Sequence, residues 1–482
     1  MLVFAALLTI LPLTLLLGDF GEKTTTKVLV MGLPMLMIGF LNFRIALALF
    51  LFSLFVDINP ALLISLAFLM IPYLIAAFST TNGGFSPKEF SSPFTAPALL
   101  LIAFVLPSFM NSKAVTLAGL NMLMLPGFIM LFLFLGVALK QKEGVSYLAK
   151  VYVTIVSLNA LYAIFQGVTS GTRAYGFAGI MFVDILGIGI LIVFLLLLMN
   201  KGEKKVLYAA LFGFLVIAMI FNKTRNVWIN VLLVLFLSFI HTAIQSNNLN
   251  INRKKLVRFG VVLALFLGLT GGAFLAIYGT KFLRLEEKQK LTSEKLEVAD
   301  VNNSFVTRFF IWSTGYNAFI ANPVFGMGMY SYAYTSSFYN QLPKNIYKKY
   351  VSGLTLHQGY YSMLVETGIF GFTGFIIFLV MIFRRSKKIY KKAIGTPHFQ
   401  SAFIAFWCLI YVITSLMFTD AWFWGRGIVM FGTILGVLTA INSQLKDQNL
   451  VVAESEPDLP NLPDEPNFQN DLDVPDETDS GK

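Results

Sequence analysis

The stretch LHQGYYSMLVETGIFGFTGFIIFLVMIFRRSKKIYKK, residues 356–392, carries the plan of the whole chain. It opens on a histidine, His357, continues as an apolar run over 359–383, and ends in six cations between Arg384 and Lys392. The run exceeds the roughly 20 residues a helix needs to cross a bilayer. Cations gathered at one end mark the cytoplasmic side of such a helix. The histidine end then faces outward, and so does the polar segment that precedes it, residues 279–358. That segment is the one long interruption in a sequence otherwise made of apolar runs and short connectors.

Similar runs recur at 2–17, 27–42, 45–56, 60–78, 96–110, 116–138, 146–167, 179–199, 205–222, 226–244, 257–278, 399–418 and 424–441. The brevity of 45–56 and the crowding around Pro107 make 12–14 spans the expected number. Of the 482 residues 57% are hydrophobic and 13% are charged, against about 25% charge in a soluble protein. The expected fold is therefore all-α: a polytopic transmembrane helical bundle with one large extracytoplasmic loop containing helices. A membrane barrel would need alternating segments of about ten residues, which are absent. The run 2–17 has no preceding cation and no cleavage pattern of small residues, so it reads as a first span.

Short connectors fix the orientation. One alternate set, from Arg44 to Lys392, holds 17 cations; the other, from Lys23 to Arg426, holds 7. The first set is expected on the cytoplasmic side, with both termini. The expected divisions are a transmembrane bundle over 1–278, an extracytoplasmic lid over 279–358, transmembrane helices over 359–441 and a cytoplasmic tail over 442–482. The tail carries 11 acidic residues against two lysines, with five prolines, and is expected to be disordered. The chain before it has 34 basic against 14 acidic residues, a formal +20, which suits anionic lipids.

Chemistry is sparse. Cys408 is the single cysteine, and the histidines are His241, His357 and His398. Neither a disulfide framework nor a paired-ligand metal spacing is available, so no metal and no cofactor are expected. No nucleic-acid module appears. On the outward side stand Arg173 in TSGTRAYGFAG, Arg225 in FNKTRNVWIN, Arg308 in FVTRFFIWSTGYNAFI and His357. Phe305, Phe309, Trp312, Tyr316 and Phe319 recur at helical spacing beside Arg308, an apolar face expected to lie down on the membrane domain. Each arginine alone fits a side chain reaching lipid phosphate. Together they suit a pyrophosphate, which guanidinium groups bind in a planar, bidentate manner. A histidine nearby can take a proton from a hydroxyl near neutral pH. The catalytic candidates are His357, Arg308 and Arg225. The substrate-binding candidates are Arg173, Arg225, Arg308, Tyr316 and Gln358. Arg426, with Asp420 nearby in TDAWFWGRG, reads as a local ion pair or interface anchor.

RFFIWSTGYNAFIANPVFGMGMYSY (308–332), followed by LHQGYYSMLVETGIFGFTGF (356–375), resembles the signature of the O-antigen ligase and O-antigen polymerase superfamily. That signature has an arginine on an aromatic helix, an NPxxGxG turn, and a histidine followed by E-x-G-x-x-G. NKTRNVWINVLL resembles the superfamily's arginine hairpin, and RAYGFAG its earlier arginine–glycine connector. The resemblance covers about 170–383 and departs at Gln358, where asparagine is usual, and at Lys223–Thr224–Arg225, which stands in place of the usual Ser-x-Ser-Arg. It implies a metal-independent transferase on the outer face of the cytoplasmic membrane, with a glycan on undecaprenyl pyrophosphate as donor and a glycan or lipid-linked acceptor. By resemblance Arg225 and Arg308 bind the pyrophosphate, Arg173 assists, and His357 activates the acceptor hydroxyl. Glu366 is expected to anchor a loop or a helix, and Gly368 and Gly371 to permit close helix contact. Membrane lipids and other polysaccharide-assembly proteins are the further partners. Polymerase and ligase both remain open; a cell-wall or capsular polymer, such as one of teichuronic-acid type, is the first expectation. The reading from another class is a transporter or flippase for lipid-linked sugars, which predicts broken helices and ionisable groups at membrane depth.

Overall fold

The computed structural model describes residues 42–55, 91–122, 124–140, 143–170, 174–179, 182–222, 224–249, 304–420 and 425–455, with scattered positions between 251 and 268. The expected spans 2–17 and 60–78, nearly all of 27–42 and most of 257–278 lie outside the described residues. So do Arg173, the start of the loop and the chain beyond Ser455. The described residues are helical, with no strand among them. In order they form α1 (Phe43–Phe55), α2 (Thr95–Val105), α3 (Val115–Met122), α4 (Met124–Ala138), α5 (Gly144–Ser170), α6 (Phe182–Met199), α7 (Glu203–Asn222) and α8 (Arg225–Ile244). The loop contributes α9 (Ser304–Ala321), α10 (Tyr332–Thr335) and α11 (Lys344–Tyr350), and the chain returns as α12 (Gly359–Lys392), α13 (Phe399–Ser415) and α14 (Gly425–Ser455). Five of these, α5, α7, α8, α12 and α14, are long and apolar enough to cross a membrane; four more apolar helices are shorter. Pro107, which has no amide hydrogen to continue α2, falls in a 3-10 turn over Leu106–Asn111.

Small residues set the helix contacts, as expected where lipid supplies no hydrophobic drive between helices. A Cβ on Gly136 of α4 would lie 2.5 Å from the Thr439 side chain of α14, and one on Gly374 of α12 would lie 2.2 Å from Phe104 of α2. The last helix runs further than composition suggested. α14 extends to Ser455, past the Asn442 where the tail was expected to begin. Its polar residues are anchored: Gln444 donates to the Lys140 carbonyl at 3.1 Å, Lys140 pairs with Asp447 at 2.9 Å, and Gln448 meets His398 at 3.2 Å.

The loop has its own core, in which Ile311, Ala318, Tyr332, Val351 and Leu356 are buried. The orientation of α9 corrects an expectation. Phe309, Tyr316 and Ile320 are exposed and Trp312 is half-exposed, whereas Ile311, Thr314 and Ala318 are buried. Among the described side chains of the expected aromatic face, Phe319 packs inward. The reason is steric: α9 turns its small residues toward the rest of the loop, and a Cβ on Gly315 would come within 2.6 Å of Leu356.

α12 is broken near its N-terminal end. Gly368 stands at φ 66° and ψ −173°, a conformation essentially restricted to glycine. The turn Pro323–Gly328 fills the break. Ile369 and Phe370 donate their amides to the carbonyls of Pro323 and Val324, while Met327 and Gly328 donate to those of Val365 and Glu366. The Glu366 carboxyl group accepts the amides of Tyr330 and Tyr332, each at 3.0 Å. Glu366 thus anchors the loop. Gly368 makes its close approach to this turn rather than to a helix, with a notional Cβ 2.3 Å from the Val324 carbonyl oxygen.

Candidate active site

The return of the loop to α12 places His357 where the start of α12 meets the end of α13. Gly359 donates its amide to the carbonyls of Leu416 and Thr419, so the first turn of α12 rests on the end of α13. Only a residue without a side chain fits there, since a Cβ would lie 2.6 Å from Leu416 and 3.0 Å from the Thr419 oxygen. The same junction carries Asp420, which is buried. Its Oδ2 accepts the His357 amide at 3.1 Å and the Ser362 hydroxyl at 3.4 Å. His357 stands at φ 56°, in the left-handed region that a residue with a Cβ occupies at a cost. The bond to Asp420 holds that conformation. Thr355 Oγ1 lies 3.3 Å from the ring Nδ1, which leaves Nε2 as the ring's other polar edge.

α9 brings Arg308 to this junction. Trp312, one turn further on, donates its indole N–H to the Leu356 carbonyl at 2.9 Å, and the Tyr361 hydroxyl donates to the Trp312 carbonyl at 2.9 Å. These two bonds clasp α9 to the residues on either side of His357. Arg308, His357 and Asp420 form one electrostatic group. Burial lowers the basicity of the Arg308 guanidinium and Asp420 opposes that. Burial likewise pulls the His357 imidazole below its ordinary value, Asp420 pushes it back up, and Arg308 pushes it down. Asp420, expected beside Arg426, whose side chain lies outside the described residues, thus also serves the histidine of the loop.

These directions give a measurable result. A neutral imidazole accepts a proton, so a lowered pKa keeps His357 competent below the ordinary histidine value of about 6.5. In a histidine-selective NMR titration the His357 midpoint should lie below that value. It should fall further in Asp420→Asn, which removes the raising charge, and rise in Arg308→Ala, which removes a lowering one. Equal midpoints in all three proteins would contradict this electrostatic grouping.

The other candidates are placed unevenly. Arg225 begins α8. Arg173 lies outside the described residues, but its neighbour Ala174 donates to the Phe221 carbonyl at 3.3 Å and accepts from the Asn222 side chain at 2.6 Å. The residue after Arg173 is thus bonded to the end of α7. Gln358 caps α12, its side-chain oxygen accepting the Tyr361 amide. Tyr316 is exposed on the outer side of α9. Among the described residues no cluster of three or more His, Cys, Asp or Glu side chains could hold a metal ion.

Mostly helical among its described residues, with no strand there, and rich in apolar helices, the chain is a multi-pass membrane protein. Residues 189–376 match the Wzy_C family model, whose description is O-antigen ligase. Over those residues the chain is similar to the O-antigen ligase family, in line with the superfamily its motifs resemble, and the match supports a membrane enzyme of polysaccharide assembly. No curated protein matches it. The matched segment includes Arg225, Arg308, His357 and Glu366; Arg173 and Asp420 lie outside it.

Proposed function

We propose that the chain transfers a glycan from undecaprenyl pyrophosphate to an acceptor hydroxyl on the outer face of the cytoplasmic membrane, extending or attaching a surface polysaccharide. The observation that carries this reading is the Arg308–His357–Asp420 group, a cation, a base and a carboxylate held at one junction by the clasp of α9. The acceptor oxygen attacks the anomeric carbon of the donor, its proton passes to the His357 imidazole, and the bond from that carbon to the pyrophosphate oxygen breaks. Arg308, joined by Arg225 and Arg173 from the adjoining connectors, holds the leaving pyrophosphate. Guanidinium groups suit that task because they stay charged and match phosphate oxygens in pairs. Asp420 orients the loop at His357 and stabilises the imidazolium that forms. Tyr316 offers an exposed ring for stacking on the donor, and no metal takes part.

Alanine at His357, Arg308 or Arg225 should each abolish polymer formation from a purified lipid-linked glycan, by a factor of roughly 10² or more, with retention on size exclusion unchanged. Wild-type turnover in all three variants would overturn the mechanism. The length of the product then separates the two activities: chains that grow on the lipid mark a polymerase, and whole chains moved to a second acceptor mark a ligase. A transporter remains the rival because α12 is broken. In transporters such breaks leave helix ends open to the cargo, whereas here the ends at Gly368 are bonded to the turn at 323–328.

A further inference from the structure

At the opposite end of the bundle from His357, five helices enclose a cavity of about 330 Å³. Chain direction fixes its location. α13 lines it with Gln400 and Ser401 from its first turn, and ends at Leu416, whose carbonyl bonds the residue after Gln358. α5 and α7 line it with their N-terminal turns and α6 from Ile188 to its end, while α14 supplies the remaining wall. The interior is apolar, formed by Ile188, Ile192, Ile404 and Ile434; the rim is polar, with Lys150, Lys204 and Asn200. Both lysines are exposed, and neither is paired with a carboxylate among the described residues.

We infer that this cavity is a binding site for an anionic phospholipid, its phosphate between Lys150 and Lys204 and part of an acyl chain against the isoleucines. Three considerations converge on that occupant. The volume falls at the lower end of small-molecule sites, and the isoleucines and leucines of its lining offer a hydrocarbon chain an apolar wall. Two ammonium groups on one rim repel each other until an anion lies between them. The short connectors at this end, including Lys140, Lys201 and Lys205, belong to the cation-rich set that faces the cytoplasm. Basic pockets between helices on that side suit anionic headgroups. The occupant has both halves of this chemistry, a charged head and a hydrocarbon tail, and bilayer lipid is at hand at the same depth. The inference does not depend on the transfer reaction.

The test is native mass spectrometry of the full chain titrated with phosphatidylglycerol, with phosphatidylcholine as the zwitterionic arm and glycerol phosphate as the soluble-anion arm. Wild type should retain phosphatidylglycerol roughly thirtyfold more tightly than Lys150→Ala/Lys204→Ala does. Ala149→Leu, which narrows the cavity, should weaken retention with the lysines intact. Lys387→Ala/Lys388→Ala, which removes the same charge from α12, should bind as wild type does. Thermal stabilisation by phosphatidylglycerol should follow the same order, so a variant that merely folds less well is recognised by a lower melting point without lipid. Equal retention of phosphatidylglycerol by wild type and the Lys150/Lys204 variant would overturn the inference. So would phosphatidylcholine binding as tightly as phosphatidylglycerol, or glycerol phosphate competing at equal concentration.

Discussion

Asp420→Asn is expected to slow glycan transfer by roughly 10²-fold, within the usual range for general acid–base catalysis, while the protein stays folded. Asparagine keeps an oxygen that can accept the His357 amide, so the loop geometry survives. What disappears is the charge. In the wild type that charge faces Arg308 and opposes the two influences that lower the basicity of His357. Without it the imidazolium formed during proton transfer loses the Asp420 charge that favours it. The loss should fall on kcat more than on KM, because the interaction strengthens as the proton arrives. Asp420→Glu should recover part of the rate, and Ser362→Ala should cost little, since its hydroxyl bond to Asp420 is long at 3.4 Å. Steady-state kinetics on a lipid-linked glycan gives the answer. Rates within threefold of wild type, with an unmoved His357 titration, would remove Asp420 from the mechanism.

Gly368→Ala is expected to be the most damaging small substitution in the chain. The new Cβ would meet the Val324 oxygen at 2.3 Å, at a backbone conformation reserved for glycine. Gly326→Ala should behave alike, because its Cβ would lie 2.4 Å from the Glu366 carbonyl. Each should lose about 3 kcal/mol or more of stability, strain and overpacking combined. Gly213→Ala is the control: its site on α7 has nothing within 4 Å, so alanine there should be neutral or slightly stabilising. Thermal unfolding in detergent distinguishes them. If Gly368→Ala melts with Gly213→Ala, the turn at 323–328 is not what closes the break.

The spans were legible because lipid permits only one kind of helix surface, and long apolar runs have few other uses. The order of Arg308, the NPVFGMG turn and the HQGYYSMLVETGIFG run was legible because each part does local work: one turns the chain, one fills a break, one begins a helix. Asp420 was not. It lies 63 residues from His357 along the chain, across two helices, and its neighbour Arg426 offered a nearer partner. The one clue was an acid at the outer end of a span, where few others stand. The face of α9 misled for another reason. Its aromatic stripe is conspicuous, but close packing requires small residues, and Thr314, Gly315 and Ala318 marked the buried side. At the other end of the chain, proline and acid content suggested disorder from Asn442, yet Gln444 and Asp447 find partners on α4.

The filled break in α12 bears on how substrates reach the site. Four backbone bonds and the two amides on Glu366 join loop to helix where water is scarce. Lifting the loop would expose all of those groups at once, and each unpaired one costs several kcal/mol in lipid. The loop is therefore a roof rather than a hinged door. On the proposed reaction, the lipid-borne donor would then enter sideways beneath its eaves and the product leave along the wall, with the roof in place at every turnover.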